Sequence, residues 1–264
     1  MSMYRQAMVI AQKEIVDHAR EVRSLLASVM HLLIGPVMVL MVSFSGPARS
    51  SAKGALVLAG MTSIFTLVAA FVGGMNVAMD VVAGERERRS LLPLLLNPVS
   101  RVTVIVGKWL AASVFSLGGL IITLAASAAV CEVVAPSNPL FTGHALFCWG
   151  VLGLLPLAVL AAALQVAIST VSRTAKEAQT YLSLLIFVPM GIAMFLLFFP
   201  RQLGHWAVFI PIAGQQLIAQ SGMNDGQWSI AQAFILALIT TGLAAATVIG
   251  SGRMLERDGI VYGG

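Results

Sequence analysis

Charge is scarce in this chain, and its densest cluster sits between two greasy stretches. The segment "DVVAGERERRSLLPLLLNPVSR", Asp80 to Arg101, sets Glu85, Arg86, Glu87, Arg88 and Arg89 in succession, then a leucine run, then Arg101. Gly84 is a helix stop of the usual kind, and the acids that follow it suit the positive end of a new short helix. Leu91, Leu92, Leu95 and their neighbours are too apolar for open cytosol and too few to span a bilayer, and Asn97-Pro98 stops them. Such a helix wants a groove. The competing reading is topological, with the arginines holding the loop on the cytoplasmic side while the leucines lie on lipid.

Chemistry of the bond-breaking kind is not encoded here. His18, His31, His144 and His205 are scattered, with no HExxH, no GxSxG inside a span and no paired intramembrane aspartates. Cys131 and Cys148 form no CxxC pair and have no matched histidine spacing, so no metal site or disulfide framework is indicated and both are expected to pack. No GxxxxGK[ST] loop occurs; Gly107-Lys108 runs into Trp109 and an apolar stretch, and Lys108 is expected to snorkel to phosphate head groups. An intramembrane enzyme is disfavoured, and no catalytic residue and no cofactor are assigned to this chain.

The elements that must position the cluster follow from composition. Of 264 residues 58% are hydrophobic and only 10% charged, with a mean hydropathy of +0.92. Soluble domains carry roughly a quarter charged residues, so this is an integral membrane protein. A window of about 20 residues, enough to cross a bilayer core of about 30 Å, marks six spans. They are residues 25–44, 55–79, 102–130, 145–171, 181–199 and 230–250. The expected fold is all-α, one transmembrane domain over residues 1–264, with residues 80–101 between the second and third spans. Gly35-Pro36 should kink the first span, Pro156 the fourth, and Gly118-Gly119 should allow a kink or a close helix contact in the third.

Residues 1–24 read as an amphipathic helix, with Met8, Ala11, Ile15, Ala19 and Val22 on one face and Lys13, Glu14, Asp17, Arg20 and Arg23 elsewhere. It should lie in the membrane interface, and its polarity is unlike a signal peptide, so it should be retained. Trp206–Ala219 is apolar but only about two-thirds of a span and is broken by Pro211 and Gly214, as in a re-entrant or interfacial segment before the last span. Of the 16 Lys and Arg, 13 fall on one side of this layout, which puts both termini in the cytoplasm. The net charge of +5 is therefore topological and does not point to nucleic acid. Asn76 and Gln165 lie near cytoplasmic ends, Thr66 and Thr123 can bond their own helices, and no span has a central acid, which argues against a buried proton or sodium relay.

The order "GERERRSLLPLLLNPVSRVTVIVGKWLA" resembles the loop after the second span in ABC-2 type transporter permeases, at Glu85, Glu87, Leu95, Leu96, Pro98, Val99, Ser100, Arg101, Gly107 and Lys108. "AQKEIVDHAREVRSLL" and "FIPIAGQQLIAQ" are similar to the start and the late Pro-containing segment of the sodium-efflux, Nat-type subgroup. The resemblance implies a permease subunit without its own ATPase, in the inner membrane of a cell. It implies a cytoplasmic ABC ATPase in two copies, which uses ATP and magnesium, and a second permease subunit, a homodimer being expected. Residues 80–101 would then be the coupling helix, with Glu85, Arg86, Glu87, Arg88, Arg89, Leu91, Leu92, Leu95, Pro98 and Arg101 facing the ATPase. The family's pathway is lined by the first, second and fifth spans, so Met30, Phe65, Phe71, Met75, Met190 and Phe195 become pathway candidates. The cargo would be a sodium ion or an amphiphilic drug, lipid or peptide. A haem-exporter-like permease and an ATP-independent secondary transporter are the alternatives.

Overall fold

The computed structural model describes residues 3–44, 52–90, 99–134, 139–141, 143–199, 205–225 and 229–256. Among these the chain is helical throughout, and six helices are long and apolar enough to cross a membrane. The helix α1 is Met3–Arg20 and α2 is Val22–Ser43. The next, α3, runs through Ala52–Val72 and Met75–Met79, widens into a π-helical turn at Asp80–Gly84, and closes at Glu85–Glu87. Then come α4 (Arg101–Val134) and α5 (Gly143–Val171), whose first part, Leu146–Leu154, is π-helical. They are followed by α6 (Ala175–Phe198), the shorter α7 (Ala213–Asp225) and α8 (Ile230–Met254).

The bundle is built around α4 and α5. At 34 residues α4 is about 50 Å long, well beyond a bilayer core of about 30 Å, so it also reaches the elements outside the membrane. One core joins α3, α4, α5 and α7 through Phe71, Leu120, Trp149, Leu157 and Ala219, all fully buried. A second, nearer the charged end, joins Val81, Ile105, Ala162 and Val248. Helices α2, α6 and α8 turn broad rows of Leu, Ile, Phe and Met outward, as a helix in lipid does. Cys131 and Cys148 are buried and not disulfide-bonded, Cys131 Sγ lying 3.9 Å from Thr62 Oγ1.

Two breaks in the helical backbone are resolved by neighbouring side chains. Gly73-Gly74 interrupts α3, and the carbonyls of Ala70 and Phe71 are left without helical partners. Ser116 of α4 donates to the first and Gln165 of α5 to the second. With no water in a bilayer core, each such group unsatisfied would cost several kcal/mol. The same glycines allow α3 and α4 to touch, since a Cβ on Gly119 would sit 2.7 Å from Gly73 Cα. Gly118, by contrast, faces open space. Pro156 cannot donate to the ladder, and the turns before it are π-helical rather than sharply kinked. The second break precedes α7, where Ile212 has φ of 75° and donates its N–H to Gln215 Oε1 at 2.5 Å.

Several expectations are revised. Gly84 does not end a span; the helix passes through it to Glu87. Besides the exposed Met8 and Val22, α1 has a second stripe that the sequence reading did not separate, with Ala7, Ala11, Glu14 and His18 turned into the bundle. The reason is α4, against which α1 packs so closely that a Cβ on Gly107 would meet Ala7 O at 2.8 Å. Asn76, Gln165 and Thr123 all bond across helices, Asn76 Nδ2 donating to Ser28 Oγ at 2.8 Å and Thr123 Oγ1 to Leu32 O at 3.3 Å.

Candidate functional site

The charged end of α3 is held by a buried ion cluster. Lys108, eighth residue of α4, is fully buried and its Nζ lies 2.7 Å from Glu85 Oε2 and 3.1 Å from Glu14 Oε1. Both carboxylates are nearly buried too, with side-chain exposures of 10% and 5%. Lys13, at the surface, closes the cluster at 3.5 Å from Glu14 and 3.8 Å from Glu85. Three elements far apart in sequence meet on one ammonium. Lys108 therefore does not snorkel: α1 and the end of α3 cover it, and its charge is answered inside the protein.

Next to this cluster stands a second. A Cβ on Gly84 would collide with Asp80 Oδ1, so only glycine leaves room for that carboxylate to fold back along the π-helical turn. Arg88 Nη2 grips it at 2.7 and 2.6 Å, and His18 Nε2 of α1 lies 3.6 Å from its Oδ2. His18 Nδ1 is 2.9 Å from Glu14 O, and the ring meets Phe115 edge-on at 6.2 Å. Burial pushes the His18 imidazole down, but Asp80 and the Glu14 carbonyl push it up further, and the net shift is upward. The widened turn is also pinned by Ser169 of α5, which accepts from Ala83 N at 3.0 Å and donates to Met79 O at 3.3 Å.

The remaining charges close helix ends. Arg86 donates to Ser172 O and, at 2.8 Å, to Thr170 O, satisfying carbonyls that the end of α5 leaves open. Glu87 Oε2 accepts from Ala175 N at 2.9 Å in the first turn of α6. That turn is also capped from within, Glu177 N donating to Thr174 Oγ1 at 3.2 Å and Arg173 N to Glu177 Oε2 at 2.7 Å. Arg101 donates to Leu255 O at the end of α8.

The structure thus sorts the sequence candidates. Glu85 is buried in the bundle; Arg86, Glu87, Arg88 and Arg101 are engaged within the chain. Arg89 is exposed, has φ of 58°, and makes no side-chain bond among the described residues. Leu91, Leu92, Leu95 and Pro98 lie outside the described residues. Of the pathway candidates, Phe65 and Met190 line one cleft between α3 and α6. Phe71 is fully buried in the core, Met75 is half-buried, Met30 faces outward, and Phe195 stacks on Phe199 at 5.3 Å on the outer face of α6.

Glu14, Lys13, His18, Asp80 and Lys108 were not singled out from sequence as one group. The signal for Lys108 was a lysine inside "IVGKWLAA" with no acid near it in sequence, which demands a counter-ion from elsewhere. The signal for Glu14 was its place on the Ala7–Ala11 stripe. Among the described residues no cluster of three or more His, Cys, Asp or Glu is arranged to hold a metal ion.

Comparison with known proteins gives a family and a relative. The family model described as ABC-2 family transporter protein matches residues 8–251. The ABC transporter permease protein NatB of Bacillus subtilis (strain 168) is 36% identical over 151 residues, covering 54% of this chain. The matched part is 38% of that relative's length.

Proposed function

Because the chain belongs to the ABC-2 family of transporter proteins, we propose that it is the membrane permease of an ATP-driven exporter, coupled to a separate cytoplasmic ATPase. It works as a dimer of permease subunits, with both termini in the cytoplasm of an inner-membrane protein. A sodium ion or an amphiphilic drug, lipid or peptide is the cargo. ATP and magnesium are handled by the two ATPase copies.

The observation that supports coupling is the meeting of α1, α3 and α4 on Lys108. A load applied just past the end of α3 reaches three helices at once through charges that have nowhere else to go. Residues 80–101 are the contact region for the ATPase, and the surface offered there is narrower than the charge run suggests. Among the described residues of this run, Glu85, Arg86, Glu87 and Arg88 bond within the permease, while Arg89 is exposed with no side-chain bond and is free to meet the ATPase.

The test is co-expression with a candidate ABC ATPase from the same genome. Arg89→Glu is expected to weaken co-purification and ATP-driven export together while the permease alone keeps its thermal stability. Intact assembly and transport in Arg89→Glu would remove this residue from the contact, and transport in vesicles lacking any ATPase would replace the exporter with a secondary carrier.

A further inference from the structure

The first two turns of α2 carry Ser24 and Ser28, and α3 answers them with Asn76. Asn76 Nδ2 donates to Ser28 Oγ at 2.8 Å and lies 3.5 Å from Ser24 O. All three side chains are half-buried. Among the described residues nothing bonds the Ser24 hydroxyl or Asn76 Oδ1, and neither atom is sealed from solvent. Ser28 Oγ accepts one bond and still has its proton to give.

These residues stand on the wall of a cleft of about 260 Å³ between α2, α3 and α4. Farther along, the walls are apolar, with Leu25, Val29 and Leu32 of α2 across from Phe115 and Gly118 of α4. Gly118 is half-buried, and a Cβ there would have nothing within 4 Å, so the sequence leaves this stretch of the cleft unfilled. The helices close up one residue on, where a Cβ on Gly119 would lie 3.1 Å from Leu32 Cδ1 and 2.7 Å from Gly73 Cα. Val114 and Ile122 are exposed at the rim, so the cleft opens sideways on the outward surface of the bundle.

Length and charge decide what fits. From Ser24 to Leu32 a helix rises about 12 Å, close to the half-thickness, about 15 Å, of a bilayer core. The polar end adjoins the turn from α1 to α2, where Arg20 and Arg23 are exposed on either side of Glu21. We propose that the cleft seats one anionic phospholipid of the leaflet beside the charged end of α3. An acyl chain lies against Gly118, and the ester and phosphate oxygens accept from Ser24 and Ser28. Arg20 and Arg23 attract the head group, and Asn76 Oδ1 accepts from a head-group hydroxyl. Seating a lipid needs neither ATP nor a partner, so the site stands or falls apart from the exporter reading.

The experiment uses the full chain in maltoside micelles and a phosphatidylglycerol with a diazirine in one acyl chain, adducts being located by mass spectrometry. Labelling within residues 25–32 and 114–122 is expected to saturate and to be suppressed by plain phosphatidylglycerol. Labelling of outward residues of α8 such as Phe234 and Leu238 should rise without saturation. The fatty acid methyl ester of the same chain should need at least about fivefold more to compete, the worth of one hydrogen bond. Ser24→Ala combined with Ser28→Ala should weaken binding by about fivefold or more. Gly118→Phe should abolish cleft labelling and leave that of α8 as it was. Equal competition by the methyl ester overturns the inference in the unaltered protein, without relying on any variant. So does cleft labelling that never saturates, which is simple lipid contact. Suppression by inorganic phosphate alone would assign the polar end to free phosphate and overturn the lipid.

Discussion

Replacing Lys108 by methionine keeps the length of the side chain and removes its charge. Two carboxylates at 2.7 and 3.1 Å, with exposures of 10% and 5%, would then face each other across the space the ammonium held. Breaking a buried ion pair by removing one member costs about 3–5 kcal/mol, because the charge left behind is neither solvated nor paired. Lys13 sits 3.5 and 3.8 Å from the same carboxylates but is largely exposed, so it compensates only in part. The expected loss is therefore about 3 kcal/mol, a hundredfold or more in the folding equilibrium. The assay is denaturant or thermal unfolding of the purified permease, run as a cycle with Glu85→Gln and Glu14→Gln. Lys108→Met alone should be the worst variant, and the triple variant should recover more than half of the loss because no buried charge remains. If Lys108→Met matches the parent within 1 kcal/mol, or the triple variant is no better than the single one, the buried cluster does not hold α1, α3 and α4 together.

Two further outcomes follow from the same region. Arg86→Gln frees the carbonyls of Thr170 and Ser172, and hydrogen bonds from a charged donor are worth about 1.5–3 kcal/mol. Amide hydrogen exchange should rise roughly tenfold or more over residues 172–177, with α8 unchanged. His18 has its pKa raised above 6.5 in the fold, so its ion pair with Asp80 is complete below the ordinary value and is lost as pH rises through the raised one. The groups facing it are Asp80, the Glu14 carboxylate and, through Asp80, Arg88. A spin-label distance between Asp17 on α1 and Val114 on α4 should be narrow at about pH 6 and broaden towards alkaline pH. In His18→Gln the distribution should not change with pH; an unchanged profile in that variant would assign the effect to another group.

The six spans were legible because an apolar run long enough to cross a bilayer needs no tertiary knowledge to be recognised. Their ends were less so. Gly84 has the composition of a helix stop, yet here its missing side chain makes room for the Asp80 carboxylate, a purpose set by Arg88 and His18. Lys108 looked like a residue for head groups because nothing in its own helix shows that α1 folds back across it. Periodicity in α1 picked out Met8 and Val22 but not its contact with the bundle: close packing on Gly107 selects the small residues Ala7 and Ala11, and Glu14 and His18 follow in register. "GQQLIAQ" was noticed only as a resemblance, since the sequence does not show that Gln215 and Gln216 reach across to Thr240 and Ser63.

The interruption at Gly73-Gly74 divides α3 into two struts. The outer one, Ala52–Val72, forms a wall of the cleft between α3 and α6; the inner one, from Met75 to Glu87, carries the charged end. No continuous backbone ladder joins them, and the carbonyls at the joint are held by side chains of α4 and α5. A swing of the strut that ends at Glu87 would therefore have to pass Ser116 and Gln165, with the two glycines as the point where the backbone can bend. Any movement of the charged end would pass to the other half of α3 through a pair of borrowed donors rather than along a rigid rod.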